Sequence, residues 1–291
     1  MVKYSVSIFC FVLFFSFASS AHTDQQKEII ENVGNGSINW SKGCLKAIGI
    51  GAPPEHLYGK PNARPMALRA AKLDALRNLL EVTRGVRIDS STSVKNFALE
   101  HDVIESKVQG MVMGAQVINR EYMSDGSVEV TMLMSLHGGF AQLVLPADIK
   151  QIVTVMPVAT NQDSVLNPLK TSGFQNNSEK YTGLIVDARG ISVKPAMSIV
   201  ILDENDQEVY GTAFVSREFA VQKGMCGYTK NSESANNDPR VKDNPLTVKA
   251  LRTKGDGRSD IVISNADASR IHSVSEHLTF FKKCSVVIIT D

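Results

Sequence analysis

Residues 63–85 read ARPMALRAAKLDALRNLLEVTRG, and the fold of the N-terminal half turns on how this stretch is read. Met66, Ala70, Leu73, Leu76 and Leu80 recur at helical spacing, with Arg69, Lys72, Arg77 and Glu81 on the other side. The pattern predicts one long helix from Ala63 or Arg64 to about Thr83, closed by Gly85. Its many alanines carry no propensity cost and allow a close approach to a sheet. On this reading Leu73, Leu76 and Leu80 join Trp40 in the core.

The flanks supply the sheet. Leu45 to Gly51 alternates enough for a strand, and the loop from Gly51 to Pro65 holds four prolines and two glycines. Val86-Arg87-Ile88 reads as a short strand, and Ser93 to Gln109 as a weaker helix through Val94, Phe97, Ala98 and Val103. Two strands, Ala115–Tyr122 and Val128–Leu136, flank Asp125-Gly126, which supplies the positive φ of a hairpin turn. From Pro146 to Lys180 periodicity gives way to Asn, Gln, Ser and Pro, the composition of an interdomain linker, although Gln151–Met156 keeps strand character.

The C-terminal half begins near Tyr181. Leu184–Ala188, Met197–Leu202, Glu208–Tyr210, Leu246–Ala250 and Asp260–Ile263 read as strands, and Ser285–Ile289 as a buried final strand. Ser264 with Asp267 marks a helix start, and Ile271, Val274, Leu278 and Phe281 give that helix an apolar face. The fold class is therefore α+β: two small domains, each a mainly antiparallel sheet packed with one or two helices. The expected divisions are a signal peptide at 1–21, an N-terminal arm at 22–37, a first domain at 38–145, a linker at 146–180 and a second domain at 181–291.

Lys3 precedes an apolar run of about 13 residues, Ser5 to Phe17, which is short of the roughly 20 needed to span a bilayer. Ala18-Ser19-Ser20-Ala21 follows and suits a signal peptidase, with an uncleaved N-terminal anchor as the alternative. No cysteine stands just after the small residues, so the expected product is a periplasmic chain starting at His22 without its own lipid. Cleavage removes one lysine and leaves thirty basic against thirty acidic residues, without the basic excess of a nucleic-acid binder. No later apolar run is long enough to cross a membrane.

Motifs for chemistry are weak. Gly49-Ile50-Gly51 runs into Pro53-Pro54 where a phosphate-binding helix would start, so it reads as a strand exit. Asp203, Asn205 and Gln207 have the spacing of a calcium loop, but Glu208 and Phe214 fall where glycine and a bidentate glutamate belong, which leaves a hairpin turn. His272 and His277 lie on different faces of a helix, and His137 has no serine in a nucleophile elbow beside it. No metal site or cofactor is expected, and the chain does not read as an enzyme. Asp187-Ala188-Arg189-Gly190 reads either as a ligand-facing pair or as an ion pair that ends a strand. Of the cysteines beyond residue 21, Cys226 and Cys284 are candidates for a disulfide with Cys44 a buried thiol, the alternative being three separate buried thiols.

Ile38-Asn39-Trp40-Ser41, Ala47–Gly51, Arg69–Leu80, Gly85–Ile88 and Asp125–Val130 together form a pattern that resembles the LPP-twenty-like lipoprotein family, which includes FlgP-like flagellar assembly proteins. The resemblance covers about Ile38 to Gly139. It implies a compact α+β domain of a periplasmic or outer-membrane-associated protein, with no catalytic residues to carry over. Tyr181–Gly190 and Lys194-Pro195-Ala196 look like the second module found behind this domain in longer members. Many relatives carry a lipobox cysteine that this chain lacks.

The expected function is thus structural: an envelope or flagellar scaffold working through protein partners or self-association. A periplasmic module that binds a glycan or small ligand in an interdomain cleft, through Tyr181, Asp187 and Arg189, is the alternative.

Overall fold

The computed structural model describes residues 28–149, 181–273 and 277–291. The expected signal peptide, the start of the arm, the linker from residue 150 onward with the strand at 151–156, and Val274 lie outside the described residues.

The first domain is built on the contact between one helix and one strand. Helix α1 (Ala63–Arg84) lies across β3 (Cys44–Gly51), and its buried stripe is Ala67, Ala71, Ala75, Leu79 and Val82. Opposite the alanines, β3 presents Gly49 and Gly51. A methyl group added at Gly49 would stand 2.0 Å from the Ala75 backbone nitrogen and 2.5 Å from the Ala71 carbonyl oxygen. The two backbones are therefore in direct contact, and only paired small residues permit it.

This shifts the core face of the helix away from Leu73. Leu73 is 55% exposed, and Leu76 and Leu80 are only partly buried; Trp40 is buried as expected. Leu73 stands on the outer side of α1, whereas Leu76 and Leu80 still pack against the core without being fully buried. The stretch facing Gly49 and Gly51 has room only for the alanines. Helices α2 (Val94–Glu100) and α3 (Asp102–Met113) pack over α1. The single helix expected at 93–109 is two, broken at His101, whose backbone is extended (φ −143°, ψ 95°). Asp102 and Glu105 in the first turn of α3 favour a new N-terminus there.

The sheet has five strands in the order β1 (Ile30–Val33), β2 (Gly36–Asn39), β3, β5 (Val128–Ser135), β4 (Gln116–Tyr122), all antiparallel. Residues 30–37, expected in a loose arm, instead form the β1–β2 hairpin. Ile38 at 0% exposure and Ile29 at 7% anchor it in the core. The β4–β5 hairpin forms as read, with Gly126 at φ 87° and the Asp125 carboxylate accepting from the amide and hydroxyl of Ser127. A short helix, α4 (Gly139–Val144), closes the domain.

The second sheet is mixed, not mainly antiparallel. Its seven strands run β8 (Glu208–Tyr210), β7 (Ile201–Leu202), β11 (Asp260–Ile263), β10 (Pro245–Lys254), β6 (Gly183–Asp187), β12 (Val286–Ile289), β9 (Gly227–Thr229). The β10–β6, β6–β12, β12–β9 and β7–β11 pairs are parallel. Its central strands β6 and β12 are near-continuous apolar runs buried on both faces, as strands of parallel sheets usually are. On one face Ile185, Val287 and Ile289 pack with Ala235, which belongs to α6 (Ser232–Asn236). On the other, Leu184, Val186 and Ile288 join a cluster that includes Phe280 and Phe281 of α8 (His277–Lys282) and runs on into the first domain. Helices α5 (Arg217–Lys223) and α7 (Asn265–His272) complete the unit, α7 opening on the expected cap, in which Ser264 Oγ accepts from the Asp267 amide at 3.1 Å.

Candidate functional site

Two places in the fold bring side chains together from distant parts of the chain: the seam between the sheets and a notch in the first sheet.

The seam starts from Arg87. The expected strand at 86–88 is reduced to a single antiparallel bridge, Arg87 opposite Ser93. The Ile88 amide donates to the Thr92 carbonyl and the Val86 carbonyl accepts from the Val94 amide, while two carbonyls of the segment turn to the second domain. The Arg87 and Ile88 carbonyls accept from the amides of Met197 and Ser198 at 3.1 and 2.7 Å. The Arg87 guanidinium donates to the Pro195 carbonyl at 2.8 Å and to both carboxylate oxygens of Glu31, and it lies 5.5 Å from the Trp40 ring centre. Trp40 donates its indole N–H to Glu31 and meets Tyr228 edge-on at 6.2 Å. The Tyr228 hydroxyl in turn donates to the Ala196 carbonyl and accepts from the Ala196 amide. Burial by itself raises the Glu31 pKa, but hydrogen bonds and charge from Arg87, with the indole, hold it below the usual range.

Further along, the loop after Arg87 seats against the β10–β11 turn. Ser90 donates to Asp260 at 2.5 Å, and its carbonyl accepts from the Gly257 amide at 2.7 Å. A side chain at Gly257 would stand 2.5 Å from that carbonyl oxygen. Burial raises the Asp260 pKa, with Ser90 opposing. At the far end Arg217 donates to the carbonyls of Pro146 and Gln142, and Gly138 donates to Val221. His137 packs here against Gly43 and Gly224 in a cavity of about 30 Å³, the space of roughly one water. Burial first, and then Arg240, lower its pKa.

The expected ligand residues do not meet at this seam. Tyr181 precedes β6 and Asp187 ends it, roughly 20 Å apart by the rise per residue. Asp187 and Arg189 form a local ion pair at 2.6 Å, in which the Arg189 hydrogen bond holds the carboxyl below its usual range. That is the strand-ending reading of the motif. The expected disulfide is absent as well. Cys226 and Cys284 are free, buried thiols, each set against a tyrosine hydroxyl, Tyr228 and Tyr210 respectively. Burial pushes them up to about 12 and about 11. Cys44 is also free and half-buried. Among the described residues no three His, Cys, Asp or Glu side chains are placed to hold a metal ion.

The notch arises where the β1–β2 hairpin runs out. β2 pairs with β3 only as far as Gly36 opposite Ala47, so β3 continues past its neighbour. Two side chains of α1, one turn apart, cover the exposed edge. Asn78 donates to the Ile48 carbonyl at 2.7 Å, and Asp74 accepts from the Ile50 amide at 3.0 Å. These bonds satisfy backbone groups that would otherwise invite another strand. The resulting hollow has a volume of about 560 Å³ and is lined by Asn35, Ser37, Lys46, Ile48, Ile50 and Thr131, among others. Sequence reading missed Glu31, Arg87, Tyr228, Asp74 and Asn78. For the last two a signal existed: polar residues four apart, beside an alanine stripe, on a face otherwise made for packing.

Residues 183–291 match the family model of the second domain of Treponema pallidum Tp0624, a span that runs from β6 through β12. No curated protein matches the chain.

Proposed function

We propose that this protein is a non-enzymatic component of a bacterial envelope, periplasmic or outer-membrane-associated, that works as an assembly or scaffold protein in the manner of the LPP-twenty-like, FlgP-like family. The observation that carries the reading is where exposed apolar side chains lie. Among the described residues, twelve of the thirteen large hydrophobics that face solvent belong to the first domain, and only Leu251 belongs to the second. Scattered singly such residues mean little, but here Met66, Leu73, Leu99, Val103 and Met113 share the helical layer α1–α3. The second domain then serves as a brace that holds the first through the Arg87 and Ser90 contacts. Among the described residues no helix is long and apolar enough to cross a membrane.

The test is site-specific photocrosslinking in cells, with the crosslinker at Leu73 or Val103 and a control at exposed Lys249. The expected result is a discrete adduct with an envelope protein or a second copy at the first two positions and none at the third. A purified protein that stays monomeric, together with no adduct at Leu73 or Val103, refutes the proposal.

A further inference from the structure

The notch in the first sheet offers more than an apolar surface, and its chemistry points to a small ligand. We propose that it binds a hydroxyl-rich ring carrying one anionic substituent, such as a sugar acid or a sugar phosphate. This goes beyond the partner-binding reading and stands on a different face of the domain.

Its volume of about 560 Å³ falls within the roughly 300–1,000 Å³ usual for small-molecule sites. Ile48 and Ile50 are 42% and 60% exposed, and they alternate with buried residues along β3, so both stand on the same open face of the sheet. Two residues apart on one strand, they form an apolar strip about 7 Å long, the dimension of the C–H face of a sugar ring. Around this strip stand groups that donate or accept without charge: the Asn35 amide and the Ser37 and Thr131 hydroxyls. Thr131 is the cross-strand partner of Ile48, and Ser37 that of Lys46, so these side chains share the open face and arrive from β2, β3 and β5.

Charge selects the anionic substituent. Lys46 lines the notch, and among the described residues no carboxylate lies within ion-pair distance of it. Glu28, whose carboxyl its charge helps to lower, is paired with Lys42 at 2.6 Å. The acid in the lining, Asp74, turns an oxygen to the Ile50 amide and the Asn78 side chain. A plain hydrocarbon ligand would leave the amide and hydroxyls without partners, and a bare anion would make no use of the isoleucines. A backbone strand is barred because Asp74 and Asn78 already occupy the edge of β3. An anionic sugar ring uses all three features together.

Titration calorimetry and chemical-shift mapping on the purified protein test this, with glucuronic acid and glucose 6-phosphate as anionic probes and glucose and inorganic phosphate as controls. At least one anionic probe is expected to bind at or below about 1 mM, with shifts centred on Ile48, Ile50 and Thr131, and which one binds tells a sugar acid from a sugar phosphate. Lys46→Met is expected to weaken that probe about 10-fold or more, the loss of one charge-assisted contact. Thr131→Val is expected to weaken it severalfold. Lys46 is exposed and Thr131 half-buried on the open face, and a melting temperature of each variant near that of the parent would exclude misfolding as the cause. Three results overturn the proposal: no binding of either anionic probe at about 10 mM, phosphate alone binding as tightly as the sugars, or an affinity that Lys46→Met leaves unchanged.

Discussion

Replacing Gly49 by alanine adds one methyl group, and the structure says it has nowhere to go. The new carbon would stand 2.0 Å from the Ala75 nitrogen, 2.6 Å from its Cα and 2.5 Å from the Ala71 oxygen, all backbone atoms of α1. No rotamer change relieves contacts with backbone, so α1 must move away from β3 as a body. That movement would loosen the buried seats of Ala67, Ala71, Ala75 and Leu79 together. Overpacking a core usually costs about 1–3 kcal/mol. A clash with backbone alone belongs at the upper end, about 3 kcal/mol, which is a large share of a typical 5–15 kcal/mol of stability. At roughly 2–4 °C per kcal/mol for a chain near this size, the melting temperature should fall by about 6–12 °C. Gly110→Ala is the control. That glycine is inside α3 with nothing within 4 Å of the added carbon, and the change should stabilise by up to about 1 kcal/mol. Urea and thermal melts followed by circular dichroism read both. Because the clash is with backbone, adding Ala75→Gly should not rescue Gly49→Ala. A loss under about 1 kcal/mol at Gly49, or rescue by Ala75→Gly, would refute the close-contact account.

The other predictions follow from the same structure. Leu79→Ala should cost about 2–5 kcal/mol in a urea melt, whereas Leu73→Ala, on the outer face of α1, should stay within about 0.5 kcal/mol. His137 is held neutral by burial and by Arg240, so the unfolded chain takes up its proton first and stability should fall as pH drops through about 6.5. His137→Gln should flatten that part of the pH profile, and an unchanged slope between pH 7 and 5 would rule His137 out as its source. Cys226 and Cys284, with thiols pushed up to about 12 and about 11, should resist iodoacetamide at pH 8 in the native protein and react fully in denaturant; rapid native labelling would contradict their burial.

The elements of this protein were largely legible because local patterns specify them. The period of residues 63–84 makes α1, Asp125-Gly126 makes the β4–β5 turn, and Ser264 with Asp267 starts α7. Which face of α1 points inward was not legible, because two stripes compete along it. The leucine stripe is the more apolar, but the alanine stripe is the one that fits against Gly49 and Gly51, and that depends on a strand more than a dozen residues away in sequence. The same limit hid the parallel pairing of β6, β10 and β12, since a short apolar run carries no mark of the direction of its neighbours. At the candidate sites, Asp187 and Arg189 allowed two readings in one dimension, a ligand-facing pair or a strand-ending ion pair, and the ion pair is the one that forms.

By itself, then, the sequence determined the α+β class, the division into two sheet-bearing halves, the positions of most helices and strands, and a charge balance unlike that of a nucleic-acid binder. Periodicity, turn chemistry and composition act over a few residues, and they survive any arrangement of the rest. Only the tertiary structure decided what those pieces do to one another: the backbone contact of α1 on β3, the seam from Glu31 and Arg87 to Tyr228, and the notch left where β2 stops short of β3. Each joins residues far apart in the chain through van der Waals fit and hydrogen-bond geometry, and neither can be computed from neighbours in sequence.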